Sequence, residues 1–227
     1  MRDIMQHADP RNLTHPFSIL LSAPSQSGKS FWILKLIEKC RVKVSPPIDK
    51  IIYINSHVTS DLKALLLKHS PVPIRLSSDI ESVVGDPQSN TLVIVDDLMD
   101  DENVQKEIEK LFIKRVHHEN LSCAYLIQNL YHSGKGHRTV SLNANYLWLG
   151  TNRRAIDQIR TLAQQIFPTK TKFFLEAYHD AITRRPYGYL FVDLKVTTPE
   201  DYRIKTDVLS DAPICYLYKD SASLKQR

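Results

Sequence analysis

The sequence predicts an α/β fold with a mostly parallel central sheet, on three observations. Short apolar runs such as Thr91 to Val95 alternate with longer segments of helical periodicity, the pattern of strand–helix–strand units joined by crossovers. The stretch Phe17 to Phe31 reads in immediate succession as a buried strand, a loop and a helix start. A second buried run, Thr91-Leu-Val-Ile-Val-Asp-Asp97, ends in two carboxylates, as expected of a central strand whose C-terminal end faces a ligand.

The first of these units sets the chemistry. Phe17 to Leu21 is the strand, and Ser30 opens a helix in which Phe31, Ile33, Leu34 and Ile37 are expected on the sheet-facing side. Between them lies Ala23-Pro-Ser-Gln-Ser-Gly-Lys-Ser30. A loop feeding a helix N-terminus aims unpaired N–H groups and the positive end of the helix dipole at one spot, which suits a triphosphate. Gly28 can take the torsions such a nest requires, Lys29 reaches the β- and γ-phosphates, and the Ser30 hydroxyl suits Mg²⁺. The pattern G-x-x-x-x-G-K-[ST] is met at every fixed position but the first, where Ala23 stands for glycine; a negative φ there would tolerate the methyl group. The candidate nucleotide-binding residues are Ala23, Pro24, Ser25, Gln26, Ser27, Gly28, Lys29, Ser30 and Phe31, and the implied ligands are ATP and Mg²⁺.

Composition narrows the rest. The chain has 227 residues, 42% hydrophobic and 24% charged, which fits one generous soluble domain. No apolar run approaches the ~20 residues of a membrane span, and the N-terminus lacks the apolar core of a secretory signal, so a cytosolic or nuclear location without membrane contact is expected. Cys40, Cys123 and Cys215 are too scattered for a metal site or a disulfide framework and read as reduced thiols. A net charge of +5 suits a polyanionic partner but does not by itself specify one.

Taken in order, residues 1–15 are polar and aperiodic and read as an N-terminal arm, residues 16–206 as the domain, and 207–227 as a C-terminal tail. Strands are expected at Lys50–Asn55, Ile74–Leu76, Ser122–Gln128, Tyr146–Leu149 and Tyr189–Asp193, the last closing the sheet. Helices are expected at Asp61–His69, briefly near Asp79–Val84, and at Glu102–Glu119, Arg154–Ile166 and Phe173–Ile182. In the acidic strand end, Asp96 is assigned to the Mg²⁺ shell and Asp97 to polarising the attacking water. Gln128, at the tip of a neighbouring strand, either senses the γ-phosphate or satisfies a strand end. Beyond it, Tyr131-His-Ser-Gly-Lys-Gly-His-Arg138 is a basic loop that could touch nucleic-acid phosphates or enter a neighbouring subunit's site. Arg138, in this loop, and Arg115, on the preceding helix, are the candidates for a trans-acting arginine.

Asp96-Asp-Leu-Met99, His117-His-Glu-Asn-Leu-Ser122, Ile127-Gln-Asn-Leu130, Arg138-Thr-Val-Ser-Leu-Asn143, Glu176-Ala-Tyr178, Pro186-Tyr-Gly-Tyr-Leu190 and Asp193-Leu-Lys195 resemble motifs of the DNA-packaging ATPases of Polinton (Maverick) elements and adintoviruses. Those belong with the poxvirus-type packaging ATPases in the FtsK/HerA branch of P-loop motors, and the resemblance runs from about Pro16 to Thr206. It implies a three-layer P-loop NTPase of the additional-strand, RecA-like class, in which Lys29, Ser30, Asp96, Asp97 and the sensor Gln128 hydrolyse ATP with Mg²⁺. It implies double-stranded DNA as the substrate moved, a homo-oligomeric ring, a capsid or portal partner, and a host nuclear, cytoplasmic assembly-site or virion location. The chain departs from its relatives at Ala23 and Gln26, where glycines are usual, and at Glu119, where a basic residue often follows the histidine pair. Two other classes share the loop: a nucleotide or small-molecule kinase, which should show an Arg-rich lid where this chain has only Arg153 and Arg154, and a non-hydrolysing nucleotide-dependent scaffold, which would not need both Asp97 and Gln128.

Overall fold

The computed structural model describes residues 12–98, 102–131, 140–154, 156–211 and 215–220. The fold is α/β, built on a mixed nine-stranded sheet in the order β11-β10-β9-β8-β2-β7-β6-β4-β5. Six contiguous strands, from β8 to the edge strand β5, are parallel: β2 (Ser18–Ser22), β4 (Lys50–Ile54), β5 (Ile74–Ser77), β6 (Thr91–Val95), β7 (Leu121–Ile127) and β8 (Tyr146–Gly150). On the β8 side, β9 (Tyr189–Asp193), β10 (Ile204–Thr206) and β11 (Tyr216–Leu217) each run antiparallel to the strand before. Tyr189–Asp193 therefore does not close the sheet. Two short strands, β1 (Leu13–Thr14) and β3 (Val44–Ser45), pair with each other away from it.

Alternation along the central strands divides the core between the two faces. On β6, Leu92 and Ile94 pack into one cluster with Trp32, Ile33, Leu36 and Ile37 of α1 (Lys29–Lys43) and Leu66 of α2 (Ser60–His69). Val93 and Val95 point the other way, into a cluster with Ile108 of α3 (Glu102–Lys110), Ile159 and Leu162 of α4 (Ile156–Ile166), and Phe174 and Tyr178 of α5 (Thr171–Thr183). Such continuous apolar strands need helices on both faces, and here they have them.

Several elements differ from the sequence expectation, each for a local reason. The buried stripe of α1 is Trp32, Ile33, Leu36, Ile37 and Cys40, while Phe31 is 59% exposed. The helix begins one residue earlier than Ser30, and its apolar face is turned away from Phe31. No helix forms between Asp79 and Val84: Asp79 Oδ1 accepts from Glu81 N–H at 2.8 Å and Ser82 Oγ donates to Asp79 O at 2.7 Å, so side chains close a turn instead. The helix expected from Glu102 to Glu119 is interrupted by a π-turn over Leu111–Arg115, where Val116 N–H reaches back to Leu111 O. Both Leu111 and Phe112 are thereby buried.

Residues 13–15 and 216–217, near the limits of the described residues, join the fold. Leu13 and His15 are buried, and the His15 ring meets Ser122 Oγ at 2.6 Å and Asn120 Oδ1 at 2.9 Å. In the segment expected as a tail, β11 pairs with β10. The Asp193-Leu-Lys195 motif is a local brace: Asp193 Oδ1 accepts from Lys195 N–H at 3.1 Å, and Lys195 Nζ donates to Thr14 O at 2.7 Å while lying 5.1 Å from the Tyr146 ring centroid.

Burial pushes the Lys195 ammonium down to about 8, with Asp193 opposing the shift. Between that value and the ordinary lysine value the unfolded chain holds a proton that the folded chain has released, so this group's contribution to stability rises with pH across the window. Lys195→Met, which keeps the apolar stem and removes the charge, is expected to flatten the rise in Tm between about pH 8 and 10. Thermal melts of both proteins across that range check it; parallel pH profiles would count against a buried Lys195.

Candidate functional site

Parallel strands deliver their C-terminal ends to one edge of the sheet, and four of them build the site. Ser22 of β2 pairs with Ile127 of β7, and Ile54 of β4 with Val95 of β6, so the residues that follow these strands come out side by side. They line a cavity of about 770 Å³, into which the structure brings Ser25 to Phe31, Asn55, Asp96, Asp97 and Gln128. Ala23 is fully buried beneath the loop, and Pro24 contributes a carbonyl to it.

The loop is held by its own backbone. Ala23 N–H donates to Ile127 O at 3.3 Å, Ser27 Oγ donates to Pro24 O, and Lys29 Nζ donates to the carbonyls of Ala23 and Pro24, the latter at 2.9 Å. Gly28, with φ 93°, is the turn into α1, and no acidic residue lies in that helix's first turn to offset its positive end. Burial lowers the Lys29 pKa, and Asp96 opposes this.

The two departures from glycine resolve differently. Ala23 is not among the positive-φ residues, so its methyl group costs nothing in torsion. Gln26 has φ 61°, the left-handed conformation that a glycine would adopt freely. Gln26→Gly is expected to leave Tm and ATP affinity equal or improved, whereas Gln26→Val should cost about 1–3 kcal/mol and weaken nucleotide binding. Melting and ATP titration of the two variants separate these outcomes; a harmless valine would mean that the loop does not require this torsion.

Asp96 and Asp97 lie in different environments. Asp96 is partly buried; its N–H donates to Ile54 O at 2.9 Å, and its Oδ2 accepts from Tyr53 Oη at 2.6 Å. Burial raises its pKa, while the Tyr53 hydrogen bond and Lys29 favour the carboxylate. Asp97 is exposed at φ 50°, with its carbonyl accepting from Ser56 Oγ at 2.5 Å. Ser30 Oγ and the Asp96 carboxyl are hard oxygen donors on one cavity, and among the described residues no group of three or more His, Cys, Asp or Glu could hold a metal. That donor set fits Mg²⁺ arriving with phosphate oxygens and keeping several waters.

Tyr53 and Asn55 were not singled out in the sequence, and Tyr187 entered only as part of the Pro186-Tyr-Gly-Tyr-Leu190 motif with no role, because nothing in a single chain reveals that β4 lies beside β6 or that the turn after α5 folds over Gly28. The available signals were that motif and a polar residue, Asn55, following an apolar strand. With Asp96 as a Mg²⁺ ligand, as the sequence suggests, Tyr53→Phe would lower Mg²⁺-supported turnover by about 10–100-fold, the range found when the partner of a metal-ligating side chain is removed. Turnover at graded Mg²⁺ checks this; unchanged Mg²⁺ dependence would leave Tyr53 a packing residue.

Of the two arginine candidates for a neighbouring subunit's site, Arg115 lies among the described residues. Arg115 is not brought to the cavity: it precedes β7, at the opposite edge of the sheet. There its guanidinium makes two 2.8 Å contacts to Glu119 and donates to Val83 O at 2.6 Å. Glu119 thus serves as the partner of Arg115 and also accepts from Gly85 N–H at 3.3 Å. Arg138, with Lys135 and the rest of the basic loop 132–139, lies outside the described residues.

B204, the DNA-packaging ATPase from Sulfolobus turreted icosahedral virus, superposes with a TM-score of 0.52 at 13% identity, covering 90% of this chain and 98% of that one. In fold, this chain is similar to a viral DNA-packaging ATPase. B204 of Sulfolobus turreted icosahedral virus 2, a genome packaging NTPase in complex with ATP-γS, matches with a TM-score of 0.47 at 14% identity over 88% of this chain and 98% of that one. DotB of Legionella pneumophila, an ATPase, matches at 0.36 and 11% identity over 75% and 53%. No family model matches the sequence, and no curated protein does.

Among the described residues no helix is long and apolar enough to cross a membrane.

Proposed function

We propose that this chain is a Mg²⁺-dependent P-loop ATPase of the three-layer, additional-strand, RecA-like class, and a motor that moves double-stranded DNA into the capsid of a virus or virus-like element. The observation that carries this reading is the convergence of Lys29, Ser30, Asp96, Asp97 and Gln128 on one cavity, in a sheet where β7 separates the loop-bearing strand from the acidic one. The fold of B204, described as a DNA-packaging ATPase, supports the substrate class, as do the Polinton-like motifs and the net charge of +5.

Phosphoryl transfer asks a protein mainly for positioning and charge stabilisation. Lys29 and the N-terminus of α1 counter the phosphate charge, and the Asp97 carboxylate orients the attacking water and accepts its proton. Ser30 and Asp96 would hold Mg²⁺, whose chemistry when bound would be to offset phosphate charge. Gln128 is exposed into the same cavity, where a γ-phosphate sensor belongs. A domain of this size does not enclose a duplex alone, so the working unit is a homo-oligomeric ring docked on a capsid or portal protein. Arg138 supplies the trans-acting charge, since Arg115 is committed to Glu119.

The test is ATP turnover by the purified chain with and without linear duplex DNA and Mg²⁺. Turnover that DNA stimulates and chelation abolishes is expected. Transfer of phosphate to a small acceptor without DNA would make the chain a kinase, and binding without turnover a scaffold.

A further inference from the structure

Two large aromatic side chains stand exposed on either side of the phosphate-loop glycine. Phe31 and Tyr187 are each 59% accessible, although the chain has ample core in which to bury rings. Both line the phosphate cavity, and both also line a second, smaller space of about 100 Å³ that opens beside it. Aromatic rings dominate the walls of that slot, where Trp32, Trp148 and Tyr189 join the two exposed rings, and Lys35 and Arg185 line it as well. The indole N–H of Trp148 is buried without an acceptor among the described residues.

Tyr187 is held there at a cost. Its φ is 59°, left-handed for a bulky residue, a conformation that persists where the surroundings over-determine it and that clusters at ligand sites. It also packs so closely on the loop that a Cβ at Gly28 would stand 2.8 Å from the Tyr187 Cβ. On the other side, Lys35 Nζ lies 5.2 Å from the Phe31 ring centroid while bonding Asp211 at 2.8 Å, so the outer face of the slot is braced by α1.

We propose that the slot between Phe31 and Tyr187 takes the base of the nucleotide whose phosphates occupy the adjoining cavity, and that Tyr187 is its stacking platform. This rests on the phosphate-site reading above and adds to it the group that distinguishes a nucleotide from a bare polyphosphate. The two spaces adjoin at Gly28, Phe31 and Tyr187, which places a slot for a base next to the cavity for the phosphates. Every base has a π-face, so an aromatic platform selects for a nucleobase without reading its edge.

The experiment is competition binding on the full chain with two probes, ATP and inorganic tripolyphosphate, each with Mg²⁺. Wild type is expected to bind ATP more tightly than tripolyphosphate. Tyr187→Ala should weaken ATP roughly 5- to 150-fold, the range that stacking of one base spans, and leave tripolyphosphate unchanged. Tyr187→Phe, which keeps the ring, should behave as wild type. Equal weakening of both probes would mean that Tyr187 only shapes the loop at Gly28, and unchanged ATP binding would mean that it does nothing for the ligand; either result overturns the base slot. Wild type binding tripolyphosphate as tightly as ATP overturns it too while leaving the phosphate site intact. Failure of both probes to bind removes the phosphate site itself and the slot with it.

Discussion

Lys29→Ala is expected to abolish measurable ATP turnover, with a loss of at least about 10²–10³-fold, the effect of removing one preorganised charge-stabilising donor from a water-poor site. The side chain is already aimed, because its ammonium bonds to two loop carbonyls and burial lowers its pKa, so an alanine leaves that position without a cation. Asp97→Asn should separate binding from chemistry. Asp97 is exposed at the strand tip, and among the described residues its hydrogen bond is through the main-chain carbonyl, to Ser56, which asparagine retains. ATP affinity should therefore stay within a few-fold of wild type while turnover falls about 10²-fold or more. Equilibrium nucleotide binding and single-turnover hydrolysis on the same preparations distinguish the two losses. Normal hydrolysis by Asp97→Asn would transfer the water-orienting role to another group, with Gln128 an alternative on the same cavity.

The largest loss of stability is expected at Trp148. The ring is fully buried, stacked on Tyr189 at 5.2 Å and tilted against Trp32 at 6.4 Å. It also fills the space beside Gly150, where an added Cβ would stand 2.6 Å from the ring and 2.9 Å from the Cβ of Ala23. Trp148→Ala should cost about 3–5 kcal/mol, through lost burial and the cavity left behind. For a chain of this length that corresponds to a Tm lower by roughly 10 °C. Because the hole opens under Ala23, ATP affinity should fall as well, and Trp148→Phe should recover part of both losses. Thermal melts with and without ATP give both readings; a Trp148→Ala protein melting as wild type would rule out this packing role.

The parts of this molecule that were legible in one sequence are those specified by local pattern. The strand runs, the glycine–lysine–serine turn and the acidic strand end each announce themselves over a handful of residues, and the structure brings them to one cavity. Phe31 illustrates where local pattern misleads: its spacing suits an apolar helix face, yet the face buried by α1 lies one residue over and leaves the ring in solvent. Tyr53 shows a different limit, since its hydrogen bond to Asp96 spans 43 positions and depends on β4 lying next to β6. Tyr187 combines both limits: it occupies a turn whose torsion favours glycine, and it meets a loop far away in the chain.

The rims of the sheet bear on how copies of this chain can associate. At one rim, β11 has two residues, too few main-chain groups to template a neighbour's strand. At the other, the turn after β5 doubles back along the edge, where Arg75 Nη2 reaches Ser82 O at 2.8 Å and Ser82 Oγ at 3.0 Å. Among the described residues neither rim offers a long, bare ladder, so a seam between copies, if they assemble, would be made of side chains and loops. Such a seam can loosen and re-form contact by contact, whereas a shared sheet would have to be unzipped.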